Sequence, residues 1–134
     1  MINQSREDYL RVIYNFWEQK GKIIRSVDIA GYLNVSKASV SQMLKILARQ
    51  KYIRVKPYSS ILFTTKGLNV AKKIAYKYRI IEVFLKRVLG FNKKNIHQEA
   101  HKLEHCFSDQ VIKKLAKLVN NPKYNPQGKK IPKI

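Results

Sequence analysis

All three histidines of this 134-residue chain fall within one short segment, IHQEAHKLEH, which runs from Ile96 to His105. On a helix, steps of four, three and four residues return to the same face, so His97, His101, Glu104 and His105 are expected to point in one direction. Imidazole nitrogens and carboxylate oxygens that converge can bind divalent cations such as Mn²⁺, Fe²⁺ or Zn²⁺. The segment therefore predicts a metal site, and the alternative is a helix that carries charges at the edge of a buried face.

The end of this segment, HKLEH, also fits the H-x-x-E-H pattern of inverzincin metallopeptidases, in which two histidines hold zinc and the glutamate activates water. Such an enzyme needs a further protein ligand and a substrate-binding body. Only 29 residues follow His105, and 13 of them are Lys, Asn or Pro. Catalysis is therefore a distant alternative, and we predict that the protein is not an enzyme.

Three helices are predicted in the first half of the chain, because apolar residues recur there at spacings of three and four. The first begins with a capping box formed by Ser5 and Asp8 and ends at Gly21. The second begins at Ser26, and the third begins after a short turn at its cap, Ser36. Two helices joined by a turn, the second opening with small polar residues, are typical of a helix–turn–helix.

The periodicity changes after the third helix. Residues 53–56 alternate apolar and basic side chains, a turn is expected at Pro57 to Ser60, and apolar residues resume at 61–63, which predicts a β-hairpin, the wing of a winged helix. A long helix follows from about residue 65 to 89, then helices from about Lys94 to Phe107 and from Ser108 to Leu118, and an irregular tail. The predicted fold class is mainly α: a winged helix–turn–helix with a two-stranded β wing in residues 1–72, and a helical domain in residues 73–134 that shares the long helix.

The charge is unevenly distributed. The chain has a formal net charge of +20, and between Asp28 and Glu82 it has eleven basic residues and no acidic one. That stretch contains the predicted recognition helix and the wing, so charge and fold together predict DNA binding; a solvated basic surface would not explain the missing acids. Base-edge contacts are expected from the start of the recognition helix: Ser36, Lys37, Ala38, Ser39 and Gln42. Phosphate contacts are expected from Lys45, Arg54, Lys56 and Tyr58.

An anionic membrane surface is the second choice of partner, but the apolar helix faces are already required by the core, so no membrane partner is predicted. The N-terminus is polar, and the longest apolar stretches are interrupted by Lys or Arg. A single cysteine, Cys106, fits a reducing compartment. We therefore expect a cytoplasmic protein.

Five segments, in order along the chain, resemble one family: EDYLRVIY, VSKASVSQMLKILARQKYI, LFTTKG, HQEAHKLEH and NPQGKKIP. They are similar to the metal-dependent repressors typified by the diphtheria toxin repressor and the manganese transport regulator, the DtxR/MntR family. The resemblance implies a winged-helix DNA-binding domain, a helical metal-binding and dimerisation domain, and a homodimer on a palindromic operator in double-stranded DNA. Longer members add an SH3-like third domain, which we do not expect in these 134 residues because they leave no room for it.

By position, the resemblance implies a metal site formed by Asp8, His101, Glu104 and His105. At position 101 the iron type has Cys and the manganese type has Glu, so the neutral His101 lowers the negative charge of the site. A cap of the first helix is the alternative role of Asp8. Mn²⁺ or Fe²⁺ is the expected metal, because hard oxygens and imidazoles are present without thiolate; Zn²⁺, Co²⁺ or Ni²⁺ would also bind in vitro.

The resemblance also implies that further metal positions are incomplete. The second metal of the manganese type uses a Glu where this chain has Arg11 and a His where it has Tyr78, and a fixed cation opposes a second ion. Glu82 and His97 match two ancillary ligands of the iron type, but Tyr78 replaces the third. A metal-independent winged-helix protein with a decayed metal site therefore stays open as the alternative function.

Overall fold

The computed structural model describes residues 4–19, 23–57 and 60–134, with side chains from residue 6 onward. The chain divides into two compact units, residues 1–72 and 73–134. The predicted helix end at Gly21 and the predicted DNA contact Tyr58 lie outside the described residues. No helix among the residues described is both long enough and apolar enough to cross a bilayer.

The first unit is a winged helix–turn–helix. Its elements, in chain order, are α1 (Gln4–Trp17), β1 (Ile24–Arg25), α2 (Ser26–Leu33), α3 (Lys37–Arg49), β2 (Ile53–Lys56) and β3 (Ser60–Phe63). The three strands form one antiparallel sheet in the order β1-β3-β2, in which Ile61 pairs with both Ile24 and Val55. The predicted hairpin is confirmed, and β1 adds a third strand to it. This strand was not predicted, because two residues are too few to show an alternation in the sequence.

The turn between α2 and α3 is formed by a residue that ends α2 and a residue that caps α3. Asn34 has a left-handed backbone, with φ 55°, and ends α2, a conformation that asparagine tolerates better than most residues. Ser36 is the N-cap of α3, and its hydroxyl accepts a hydrogen bond from the Ser39 amide at 3.0 Å. Val40, Leu44 and Leu47 form the buried face of α3. This one-sided burial leaves the opposite face of the recognition helix exposed.

The start of α4 (Thr65–Arg87) is fastened to the first unit by the LFTTKG segment. The Thr64 hydroxyl donates to the Lys51 carbonyl oxygen at 2.6 Å and accepts from the Gly67 amide at 2.9 Å. A Cβ at Gly67 would lie 1.7 Å from the Tyr52 carbonyl oxygen, so only glycine allows this approach. The helix continues past residue 72 and forms part of the second unit.

The second unit contains the rest of α4 together with α5 (Lys93–Glu104) and α6 (Asp109–Leu118). Its buried apolar residues come from all three helices and from the C-terminal segment: Tyr78, Ile80, Ile81, Val83, Leu85, Ile96, Ala100, Ile112, Ala116, Val119 and Ile131. The predicted cap of the last helix is confirmed, because the Ser108 hydroxyl accepts from the Val111 amide at 3.2 Å. Helix α5 ends at Glu104, earlier than the predicted Phe107.

The C-terminal segment has no helix or regular strand, as its Pro and Lys content predicted, but it is not without hydrogen bonds of its own. Tyr124 and Lys130 form an antiparallel β-bridge, and the Ile131 amide donates to the Lys123 carbonyl oxygen at 2.8 Å. The Asn125 side-chain oxygen accepts from the Lys129 amide at 2.7 Å. The segment thus forms a closed turn, which the sequence pattern did not reveal because its bonds are made by the Asn125 side chain and by backbone groups distant in sequence rather than by a repeating pattern.

Candidate metal centre and DNA-binding surface

Helix α5 positions the candidate metal ligands. Its N-cap, Asn92, accepts from the Asn95 amide at 3.1 Å, and its apolar stripe, with Ile96 and Ala100 fully buried, packs into the core of the second unit. Glu104 lies on that buried side and is only 2% exposed. His105 is the C-cap and keeps an almost helical backbone, with φ −88° and ψ −8°. The early end of the helix therefore does not displace its side chain from the predicted face.

The side chains of His101, Glu104 and His105, here called the ligand cluster, converge. Glu104 Oε1 lies 3.5 Å from His101 Nδ1 and 3.4 Å from His105 Nε2, and each residue offers a ligand atom within 4.8 Å of the others. The two imidazole rings meet edge to face, with centroids 5.6 Å apart. The His101 side chain is 48% exposed whereas that of His105 is 8% exposed. Two imidazoles and a buried carboxylate are a donor set that fits Mn²⁺, Fe²⁺ or Zn²⁺.

Each of the two predicted ancillary ligands is hydrogen-bonded to another residue of the second unit. The two pairs, Tyr78 with His97 and Glu82 with Asn125, are here called the anchor cluster. The buried Glu82 carboxylate accepts from the Asn125 side-chain amide at 3.0 Å. The Tyr78 hydroxyl hydrogen-bonds to His97 Nδ1 and donates to the His97 carbonyl oxygen at 3.3 Å. Neither Glu82 nor His97 joins a convergent set of three or more His, Cys, Asp or Glu side chains in the part of the chain that the structure describes. Their ancillary role stays a prediction.

Asp8, the ligand predicted on the first unit, lies on α1. Its carboxylate oxygen Oδ1 is 3.6 Å from the Arg11 guanidinium, and Arg11 is 5% exposed. Helix α1 already includes Ser5, so the predicted capping box is wrong: Asp8 lies beyond the first turn. Desolvation raises the pKa of the neighbouring Tyr9 hydroxyl above its ordinary value of 10.0, so this buried tyrosine stays neutral at physiological pH.

The predicted DNA contacts on α3 are on its surface. Ser36, Lys37, Ala38, Ser39, Gln42 and Lys45 are all exposed. The Ser36 hydroxyl also donates to the Ser39 hydroxyl at 2.9 Å, so these two side chains are held at the amino end of the helix. On the wing, Arg54 and Lys56 are exposed as well. The surface of α3 and the wing therefore has small polar side chains at the start of the helix and basic side chains elsewhere.

Sequence reasoning missed one exposed position on the same face. Ser41 lies three residues after Ala38 and four before Lys45, and it is exposed. Helical spacing alone could have identified it, because residues three and four apart are neighbours on a helix surface. Asn125 was missed as well, and no spacing signal could have found it, since it lies 43 residues from its partner Glu82.

Family models match almost the whole chain. Residues 1–61 match the N-terminal DNA-binding domain of the iron dependent repressors, and residues 64–133 match their metal binding and dimerisation domain. The chain belongs to the iron-dependent repressor (DtxR/MntR) family.

Curated relatives of this repressor-family chain are transcriptional regulators. An uncharacterised HTH-type transcriptional regulator of Methanocaldococcus jannaschii is 40% identical over 85% of this chain and 91% of its own length. The HTH-type transcriptional regulator MntR of Geobacillus thermodenitrificans is 34% identical over 89% of this chain and 83% of its own. MntR of Bacillus subtilis is 33% identical over 89% of this chain and 82% of its own.

Solved structures of metal-dependent transcriptional regulators share the fold. The metal-dependent transcriptional regulator MtsR superposes with a TM-score of 0.87 at 38% identity, covering 96% of this chain and 59% of the other. A manganese-dependent transcriptional repressor in complex with manganese superposes with a TM-score of 0.88 at 27% identity, covering 96% and 58%. The chain thus spans less than two thirds of the length of these structures.

Proposed function

We propose that this chain is a homodimeric, metal-dependent transcriptional regulator that binds a palindromic operator in double-stranded DNA and represses genes of manganese or iron handling in the cytoplasm. The convergence of His101, Glu104 and His105 in a chain of this family carries the proposal. The exposed polar start of α3 supports its DNA-binding part. Relatives in this family are repressors rather than enzymes, which supports metal ligation over peptidase chemistry as the role of HKLEH.

The metal ligands in this proposal are Asp8, His101, Glu104 and His105. Glu104 is the central ligand, because its buried carboxylate brings a negative charge between two imidazoles, and the partly exposed His101 leaves a path from solvent. When bound, a divalent ion supplies an electrostatic link between the carboxylate on α1 and the ligands at the end of α5. Hard oxygen and imidazole donors favour Mn²⁺ or Fe²⁺ as the physiological ion, although Zn²⁺, Co²⁺ or Ni²⁺ binds at least as tightly in vitro.

The coupling to DNA follows from the packing of α1. Helix α1 packs against α2 and α3, so any restraint on Asp8 also restrains the recognition helix. In a dimer, two recognition helices must reach successive major grooves about 34 Å apart. Restricting the positions of α3 in advance lowers the cost of ordering it on DNA, so metal and operator stabilise the same state. By linkage, operator DNA tightens metal binding by the same factor.

The test is a titration of a labelled palindromic DNA pool at fixed salt, first with chelator and then with Mn²⁺, Fe²⁺ or Zn²⁺. Fixed salt is needed because the nonspecific affinity of so basic a chain changes steeply with ionic strength. We expect the same palindromic sequence to be enriched with each metal and not with chelator. Asp8→Ala should abolish the metal effect, whereas Glu7→Ala, which removes the neighbouring carboxylate on α1, should preserve it. Metal stimulation that survives Asp8→Ala would disprove the coupling.

A metal-independent winged-helix regulator is the second candidate. The Arg11 guanidinium beside Asp8 favours it, because a buried cation next to a ligand opposes the binding of another. Under this alternative the same palindrome is enriched with chelator and with metal. The absence of metal binding in calorimetry would support it further.

A further inference from the structure

The second unit is more basic than the DNA-binding unit. Residues 73–134 contain 15 Lys and Arg and 4 Asp and Glu, a net charge of +11, whereas residues 1–72 have a net charge of +9. Thirteen of those 15 bases are exposed. Of the four acids, Glu82 and Glu104 are buried, Glu99 is half-buried and ion-paired with Lys102 at 3.4 Å, and only Asp109 is exposed. A general enrichment in lysine would not remove acids from the surface.

A surface with so many positive charges is electrostatically unfavourable for a domain that dimerises. Like charges repel within each unit and again between two copies, which destabilises the compact and the associated states. A bound polyanion relieves this repulsion. The charge of the second unit therefore points to an anionic macromolecule rather than to a purely structural role.

Five of these bases surround one exposed tyrosine, Tyr124, which is 57% exposed. On one side, a hollow of about 540 Å³ is lined by Tyr124 together with Lys123, Lys130 and Lys133. On the other side, a hollow of about 280 Å³ is lined by Tyr124 together with Lys86 and Arg87. We call these six residues the Tyr124 surface.

The backbone beneath this surface is fixed in place. The bridge between Tyr124 and Lys130 joins the two sides of the turn, and the Arg79 guanidinium, itself buried, donates to the Lys130 carbonyl oxygen at 2.7 Å. Arg87 donates to the Val119 carbonyl oxygen at 3.1 Å. The bases are thus held on a rigid frame rather than on a freely moving tail, so less entropy is lost when they bind.

We infer that the Tyr124 surface is a second DNA-contacting surface, which binds the phosphate backbone of duplex DNA without reading its sequence. Lysine and arginine neutralise phosphates, and a tyrosine hydroxyl can donate to a phosphate oxygen. Duplex DNA is the favoured polyanion because the winged helix brings it to the same chain, which raises its effective concentration at the second unit. In this respect the inference rests on the proposed function.

The experiment compares two triple variants of the full-length, Mn²⁺-loaded chain on a duplex of random sequence, by fluorescence anisotropy over a series of salt concentrations. The test variant is Lys123→Gln, Lys130→Gln and Lys133→Gln. The matched control is Lys93→Gln, Lys94→Gln and Lys113→Gln, which removes the same charge from exposed lysines that line neither hollow. Circular dichroism and thermal unfolding of each variant verify folding.

We expect the test variant to reduce the slope of log affinity against log salt by about 2 to 3, because each lost phosphate contact removes about 0.9. The control should leave the slope unchanged. Equal changes in both variants, or none in either, overturn the inference. Tyr124→Phe, which removes only the hydroxyl, should weaken binding about threefold without changing the slope, and a variant that binds as tightly as the wild type would exclude tyrosine from the contact.

Two further measurements distinguish binding of duplex DNA from binding of other polyanions and from the metal response. Single-stranded RNA and vesicles of phosphatidylcholine with phosphatidylserine are titrated in the same way, and a loss confined to either of them overturns the assignment to duplex DNA. The ratio of operator affinity with Mn²⁺ to that with chelator should be equal in wild type and test variant. A ratio of one in both, with the slope difference intact, refutes the metal regulation but leaves the Tyr124 surface standing; a wild type that binds no duplex refutes both.

Discussion

The ligand cluster and the anchor cluster of the second unit use the same kinds of side chain in different ways. Each has a buried glutamate, and each has histidine from α5. In the anchor cluster, Glu82 faces the amide donor of Asn125 at 3.0 Å. In the ligand cluster, Glu104 faces two imidazole nitrogens at 3.4 and 3.5 Å. The first glutamate accepts a hydrogen bond from a side-chain amide, whereas the second faces two imidazoles that are themselves candidate metal ligands.

The distances show why this difference matters. A charge-assisted hydrogen bond between nitrogen and a carboxylate is about 2.7 to 2.9 Å long, shorter than both contacts of the ligand cluster. Atoms that each lie about 2 Å from a common ion are about 3 to 4 Å from one another. The two contacts of Glu104, at 3.4 and 3.5 Å, have this spacing. Residue type alone therefore does not identify a metal site. The groups that face each glutamate distinguish the two clusters.

The largest expected effect comes from Glu104→Gln. This change keeps the shape of the side chain and removes the buried negative charge, so we expect Mn²⁺ affinity in calorimetry to fall by more than about 100-fold. Metal-stimulated operator binding should be lost with it.

Glu82→Gln is the matched control for this experiment, since it makes the same chemical change in the anchor cluster. It should leave Mn²⁺ affinity within about twofold of the wild type. If Glu82→Gln weakens Mn²⁺ as much as Glu104→Gln does, then Glu82 is a ligand and the distinction between the clusters fails.

The next effect separates the two histidines of the ligand cluster. His105 is nearly buried and His101 is half exposed, so the His105 imidazole is held more rigidly and loses less freedom on binding. We expect His105→Ala to weaken Mn²⁺ about 100-fold and His101→Ala about 10-fold. The reverse order in calorimetry would show that burial does not rank these ligands. His97→Ala, from the same helix, serves as the control and should leave the affinity unchanged.

Local patterns predicted the parts of the fold and site that depend on neighbours in sequence. The caps at Ser36 and Ser108, the buried stripe of α3 and the wing all follow from spacings of a few residues. His101, Glu104 and His105 are within five residues of one another, so helical geometry alone brings them together.

Features that depend on distant or very short segments were not predicted. Strand β1 has two residues and forms only because β3 offers it an edge. The anchor cluster joins Glu82 to Asn125, and the periodicity of α4 shows Glu82 only as a polar residue among apolar ones. The cap assigned to Ser5 failed because the pattern gives the existence of a helix more reliably than its first residue.

A moderate effect on stability is expected from the anchor cluster itself. Glu82→Gln replaces a carboxylate acceptor with an amide that cannot accept as strongly from Asn125, so we expect the free energy of unfolding to fall by about 1 to 2 kcal/mol. Urea denaturation monitored by far-UV circular dichroism would measure it. Asn125→Ala, which removes the donor instead, should lower stability by a similar amount, and the double variant should cost less than the sum of the two. Additive losses would mean that the pair does not interact.

The smallest expected effect is that of Tyr78→Phe. The tyrosine is buried and its hydroxyl contacts His97, so removal of the hydroxyl should lower the free energy of unfolding by about 1 kcal/mol. Mn²⁺ affinity and a stoichiometry of one ion per chain should both stay as in the wild type, because the hydroxyl occupies the hydrogen-bonding capacity of His97 without taking part in the ligand cluster. A second bound ion in Tyr78→Phe would show that this hydroxyl excludes metal from the anchor cluster. An unchanged stoichiometry with lowered stability is the outcome that distinguishes a structural hydrogen bond from a blocked metal site.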